Sequence, residues 1–241
     1  MGSHSTPEIE ENDFQPFLFF RFGQIQHVQS FVEHGRIYMN PISYFKKIEG
    51  DKERADKNEN ITGLHQANGV KIYVDGKPLN GLTGQVTYYI PDQDQFMASH
   101  IFCMSHLSGG MPIRDDGKIF DDRIRDFGEA FAVIGRLDIF AERLNTKLQS
   151  LLDSAEIFRA HTRRVEYIDK SSYSGNMDIF KKTNDYAHQN EFRIAVTCFD
   201  NFDSPFQFDI GPLSDIAKII DNKKFVNLIE INENGTQTVR I

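Results

Sequence analysis

Residues Phe17-Leu18-Phe19-Phe20-Arg21-Phe22 form a short aromatic run that stops at Gly23. Its length and its glycine stop fit a buried strand better than a helix, and they leave Arg21 as a charge set into an apolar strand end. Gln24 to His34 carries Ile25, Val28, Phe31 and Val32 at helical spacing and ends at Gly35, a good C-terminal cap, so an amphipathic helix follows. Arg36-Ile37-Tyr38-Met39-Asn40 reads as a second strand, and Pro41 ends it. Ser43 to Glu49 has the pattern of a helical turn capped by Ser43.

Beyond this start the chain changes character. Residues 50–63 are expected to form a polar, solvated loop, because Gly50 to Asn60 contain almost no apolar side chain. Residues 68–92 read as a hairpin excursion: Val70 to Val74 and Gln85 to Ile90 alternate, and Asp75-Gly76 supplies a turn. His100 to Ser105, Phe131 to Ile134, Val165 to Ile168 and Phe192 to Phe199 read as strands. Ile139 to Leu152 reads as a helix with Phe140, Leu144, Leu148 and Leu151 on one face, and Leu213 to Ile220 as a short helix. Phe225 to Ile231 and Thr236 to Ile241 read as paired terminal strands. Strands with interspersed helices and hairpin signals predict an α+β fold, with a central, mostly antiparallel or mixed sheet and a few helices. Residues 14–241 are expected to form one domain, after an acidic tail or tag remnant at residues 1–13.

Charge and motifs narrow the functional classes. With 35 acidic residues against 27 basic ones, the net charge of -8 repels phosphate backbones and anionic membranes, so nucleic-acid binding would need a local basic patch. No apolar run approaches the roughly 20 residues needed to span a bilayer. Cys103 and Cys198 lie in apolar strand-like runs without CxxC spacing and read as buried thiols in a reducing cytoplasm. The chain lacks GxxxxGK[ST], GxGxxG and GxSxG, which argues against the common phosphate cradles and a serine elbow. His65, His100, His106 and His161 have no close ligand spacing, so no histidine metal site is expected. Glu49, Asp51, Glu53, Asp56 and Glu59 have the oxygen chemistry of a hard-cation site, although a charge run in a loop reads more simply as a solvated face.

The sharpest constellation is Arg21, Tyr38 and Glu191, on or beside strands where isolated charge is costly. Glu191 stands where the polar segment Lys181 to Asn190 meets the strand Phe192-Arg193-Ile194. One reading has Arg21 and Glu191 pairing with each other or with strand-end backbone. The other has Arg21 and Tyr38 clamping an anionic or nucleotide ligand while Glu191 orients a hydroxyl or stabilises developing positive charge, with Lys181, Tyr186 and His188 lining the same pocket. Arg193, two residues beyond Glu191, shares its face of the strand and is a third potential partner.

In order along the chain, Phe19-Phe20-Arg21-Phe22-Gly23, then Gly35, Ile37 and Tyr38 with Asn40-Pro41, then Tyr44-Phe45 with Glu49, Arg54, Asp56 and Glu59, form a recurring layout. Ile101 to Ser105, Val165-Glu166-Tyr167 and Glu191-Phe192-Arg193-Ile194 complete it. This layout resembles a family of uncharacterised bacterial proteins with a domain of unknown function, abortive-infection-like and phage-related. The chain departs from that pattern in having no tryptophan; Tyr186 stands where one is expected. More distantly, Arg21, then Tyr38 or Ser43, then Glu191 resemble the residue order of ADP-ribosyltransferases. That resemblance implies Arg21, Tyr186 and His188 around a dinucleotide, Tyr38 or Ser43 supporting the nicotinamide ribose, and Glu191 stabilising an oxocarbenium-like transition state.

Three functions follow as expectations for a cytoplasmic bacterial or phage protein. The first is a defence or toxin-type transferase or glycohydrolase acting on NAD or another nucleotide. The second is a non-catalytic recognition or sensor protein that meets a phage or host protein through the 50–63 loop. The third is a Mg²⁺-dependent nuclease using Asp51, Glu53, Asp56, Asp115 or Asp116.

Overall fold

The computed structural model describes residues 16–47, 61–68, 73–78, 85–91, 99–109, 118, 120–199, 203–224, 228–231 and 237–240. In chain order these form β1 (Pro16–Gly23), α1 (Ile25–His34), β2 (Arg36–Pro41), α2 (Ile42–Lys47), β3 (Ile61–Asn68), β4 (Tyr73–Val74), β5 (Lys77–Pro78), β6 (Gln85–Pro91), β7 (Ser99–Ser108), β8 (Ala130–Ile134) and α3 (Leu137–Asp153). They continue as β9 (Ile157–Arg164), β10 (Glu166–Ile168), β11 (Gly175–Asn176), β12 (Lys181–Thr183), β13 (Glu191–Cys198), β14 (Phe206–Asp209), β15 (Ala217–Asp221), β16 (Leu228–Ile231) and β17 (Gln237–Arg240). The fold is α+β, and the strand pairs are antiparallel except for β10 with β12.

The main sheet forks at β7. One edge of β7 pairs with β13 from Ser99 to Ser105, and β9 lies beyond β13. The other edge is shared: β1 takes Ser105 to Ser108, and β2 takes only His100 and Ile101. One branch therefore runs β1-β8-β15 and the other β2-β14. The aromatic run of β1 is explained by this position, since it pairs on both edges and buries Phe19, Phe20 and Phe22.

Alternation sorts the strand residues between two cores. Phe19, Phe102, Met104, Ala132, Ile194 and Val196 point to the face covered by α1 and α3, where they meet Val28, Phe31, Phe140, Leu144 and Leu148. Each of these side chains larger than alanine contributes about 1.5–3 kcal/mol by leaving water. Phe20, Phe22, Leu107 and Phe131 point the other way, onto Phe120 and onto Ile124 of the 3-10 segment Asp122–Phe127 that follows it. α1 stops at Gly35, whose φ of 67° is left-handed and whose missing Cβ would lie 2.1 Å from the Gly211 carbonyl oxygen.

Several expectations need correcting. Leu213 to Ile220 is not a helix: one turn, closed by Ala217 N–H to Leu213 O at 2.8 Å, leads into β15. There Ile219 and Ile220 extend the sheet against β8, a tertiary pairing that outweighs the helical spacing. Gln85–Pro91 pairs with Ile61–Asn68, so the excursion begins inside the stretch expected to be polar loop. Asp75-Gly76 does make a tight turn, at φ 50° and 75°, but it joins only β4 to β5. The rest of that polar loop, residues 50–60, and the acidic start, residues 1–13, lie outside the described residues. The terminal strands pair as expected.

Candidate functional site

β13 is the element on which the candidate site is built, and its start is set by local chemistry. After β12 the chain makes a 3-10 turn, Asn184–Gln189, capped by Asn190 at φ 42° and ψ 54°. Asparagine tolerates this left-handed conformation better than most residues. The Asn190 N–H donates to Ala187 O at 3.2 Å, and its carbonyl accepts from His106 N–H at 2.8 Å, so the turn is tied to β7 as it delivers Glu191 to the sheet.

Glu191 is 4% exposed and its carboxylate is enclosed by charge. Lys182 Nζ donates to Oε2 at 2.8 Å, and Arg193 Nε donates to Oε1 at 2.7 Å. Lys182 also donates to Gln189 Oε1 at 3.0 Å, and Arg193 donates to the Ile179 carbonyl. Arg193 is 1% exposed and Lys182 7%, so among the described residues two buried cations close on one buried carboxylate. The backbone is held as well: Glu191 N–H donates to the Tyr167 hydroxyl at 2.9 Å, and its carbonyl accepts from Val165 N–H at 2.8 Å.

Electrostatics follow from that enclosure. Burial alone would push the Glu191 carboxyl up, but the Arg193 and Lys182 charges and the Arg193 hydrogen bond hold it well below the ordinary carboxylate range. The neighbouring Cys103 thiol is pushed up, first by burial and then by the Glu191 charge. The Tyr167 hydroxyl moves up for the same two reasons in the same order. A carboxylate that is ionised at all ordinary pH and has both oxygens engaged by cations is suited to fixing strands rather than to carrying protons.

The other candidates are scattered. Tyr186 and His188 lie in the turn beside Glu191, and Lys182 Nζ stands 5.2 Å over the Tyr186 ring. Lys181 turns away to Glu166 at 3.2 Å. Tyr38 is 47% exposed on β2, which pairs with β7 only from Asn40, and Ser43 is half-buried in α2. Arg21 lies on the opposite face of the sheet from Glu191. Glu191 is level with Ser105 and Phe20, and Arg21 alternates with Phe20 onto the side of Phe19 and Ala132.

At the fork, Arg21 serves the strand that the two branches leave behind. Its Nη1 donates to Cys103 O at 3.3 Å and to Phe22 O at 3.2 Å, and its guanidinium sits 4.6 Å over the Phe102 ring. Cys103 lies between the stretches of β7 that β1 and β2 pair with, so Arg21 supplies a donor where a ladder partner is missing. The structure thus brings Glu191 and Tyr186 together around Lys182, with His188 in the same turn as Tyr186, and keeps Arg21 apart from them.

Two features of this region went unread in the sequence: the roles of Lys182, Gln189 and Tyr167 in the cluster, and the basic strand β9 beside it. Among the described residues no three His, Cys, Asp or Glu side chains group as metal ligands, and the carboxylates Glu49, Asp51, Glu53, Asp56, Glu59, Asp115 and Asp116 lie outside those residues. No helix among the described residues is long and apolar enough to cross a membrane. Compared with protein-family models, curated proteins and solved structures, the chain matches none.

Proposed function

We propose that this protein is a non-catalytic recognition protein in which the Glu191 cluster is the framework of a binding surface. The observation that carries this reading is the closure of the carboxylate: at 4% exposure, its two oxygens are held at 2.7 and 2.8 Å by Arg193 and Lys182. An NAD-directed transferase or glycohydrolase would need that carboxylate to face a ribose, with Arg21 on the same side. The strand register instead sets Arg21 and Glu191 on opposite faces.

The test is direct. Purified full-length protein is incubated with NAD and a panel of nucleotides, and nicotinamide release and melting temperature are followed. The recognition reading expects no nicotinamide release, and expects any nucleotide-dependent rise in melting temperature to survive Glu191→Gln. Nicotinamide release that Glu191→Gln abolishes, in a variant that still melts cooperatively, overturns it and restores the NAD reading.

A further inference from the structure

β9 is basic in an acidic chain. Ile157 to Arg164 contains Arg159, His161, Arg163 and Arg164 and no carboxylate, against a net charge of -8 overall. Arg159, His161 and Arg163 alternate along the strand opposite Thr197, Ala195 and Arg193, so they share one face at steps of ~7 Å. Arg159 and His161 are exposed. Arg163 is half-buried, paired with Asp178, and 4.4 Å over the Phe180 ring. Among the described residues, Arg159 has no carboxylate partner within ion-pair distance, and its guanidinium rests 5.8 Å from the Phe158 ring.

The end of this row carries an aromatic pair. Arg159 is level with Thr197 but Ile157 is level with Cys198, so Phe158 is an extra residue in the ladder. Such a bulge re-aims a side chain, and here Ile157 stays in the core while Phe158 is 46% exposed. Phe158 meets Phe199, 53% exposed, with ring centroids 5.2 Å apart. Phe199 follows Cys198, the last residue of β13, and its ring lies beside that of Phe158, the neighbour of Arg159. Two exposed rings beside a row of basic side chains headed by the exposed Arg159 are the elements of single-stranded nucleic-acid binding: bases stack on aromatic faces while phosphates meet the positive charge.

We propose that the row formed by Phe158, Phe199, Arg159, His161 and Arg163 binds single-stranded nucleic acid. The proposal rests on the recognition reading and names its ligand. An acidic peptide would meet the same cations but has no use for the exposed rings, and a duplex hides the base faces they would stack on. Asp178 offsets part of the charge of Arg163, and burial, then the Arg159 and Arg163 charges, push the His161 imidazole down, so near pH 7 Arg159 carries the most available charge and His161 offers a neutral imidazole hydrogen bond. The acidic remainder of the chain opposes the ligand at long range, which makes the binding modest and dependent on salt.

The experiment is fluorescence anisotropy of labelled oligothymidine and oligouridine with full-length protein. With one or two phosphate contacts at a slope of about -0.7 each, affinity should fall about 3- to 7-fold as salt rises about fourfold. Arg159→Glu should weaken binding about tenfold or more and flatten the salt dependence. A double Phe158→Ala, Phe199→Ala variant should weaken binding about fivefold or more with the salt slope kept. Far-UV circular dichroism confirms that each variant remains folded, and Arg159→Gln should show a smaller loss of the same kind. No binding at low salt, binding that these variants leave unchanged, or equal affinity for a duplex overturns the proposal. So does preferential capture of an oligoglutamate peptide, which would indicate an acidic protein partner. The NAD measurement is independent of all of these, so failure of the ligand assignment and failure of the recognition reading are read separately.

Discussion

Replacing Glu191 by Gln keeps the shape of the side chain and removes the carboxylate charge that Lys182 and Arg193 share among the described residues. Lys182 and Arg193 then share a site at 7% and 1% exposure without the carboxylate between them. Lys182 keeps Gln189 Oε1 and Arg193 keeps the Ile179 carbonyl, but two charge-assisted bonds, 2.8 and 2.7 Å long, lose their acceptor charge. Breaking a buried pair by removing one partner costs about 3–5 kcal/mol, much of a typical total stability of about 5–15 kcal/mol. With a urea slope near 3 kcal/mol/M, expected for a chain of this size, the midpoint should drop by about 1–2 M. The chain has no tryptophan, so far-UV circular dichroism is the suitable probe. Lys182→Met should lower the midpoint comparably, and the double variant should lose less than the sum, because each single change strands the partner of the other. A Glu191→Gln midpoint within about 0.3 M of wild type, at an unchanged slope, would refute the reasoning.

Three further outcomes follow. Burial, then the Arg164 charge, pushes His106 down from 6.5 to about 4, so the unfolded imidazole protonates before the folded one. Stability is therefore fully present above pH 6.5 and falls by roughly 3 kcal/mol as pH drops toward 4; His106→Asn should flatten that part of a melting-temperature profile. Burial pushes the Cys198 thiol up to about 11 and raises Cys103 further, so both should alkylate slowly at mildly alkaline pH in the folded protein and quickly in urea, as followed by mass spectrometry. Gly35→Ala should cost more than the roughly 1 kcal/mol of an ordinary left-handed substitution, since its Cβ would meet the Gly211 carbonyl; an unchanged thermal midpoint would contradict this.

The parts of the fold that were legible in the sequence are those whose burial pattern repeats locally. β1 is a run of four Phe within six residues, α1 ends on its glycine, and α3 keeps Phe140, Leu144, Leu148 and Leu151 on one face. β9 was not legible: its alternation sets Arg159, His161 and Arg163 on one side, and a strand beyond β13 needs little apolar surface there. β15 was misread because one helical turn and a strand of Ile-rich sequence share the spacing of a short helix. In the site, the i, i+2 relation of Glu191 and Arg193 was visible because strand alternation is local. The Lys182 contact was not, since it depends on how a 3-10 turn folds back on the sheet. The side of the sheet taken by Arg21 depends on the pairing register, which a single strand does not encode.

The ionisation of Glu191 itself tests the account most directly. The side-chain carboxyl carbon of Glu191, assigned by its absence in Glu191→Gln, can be followed by NMR from about pH 7 to about pH 3, across the ordinary carboxylate range. A carboxylate held by Arg193 and Lys182 shows no titration step in that range while the protein stays folded. A step at or above the ordinary carboxylate pKa would contradict the closed cluster and return Glu191 to the candidates for proton chemistry.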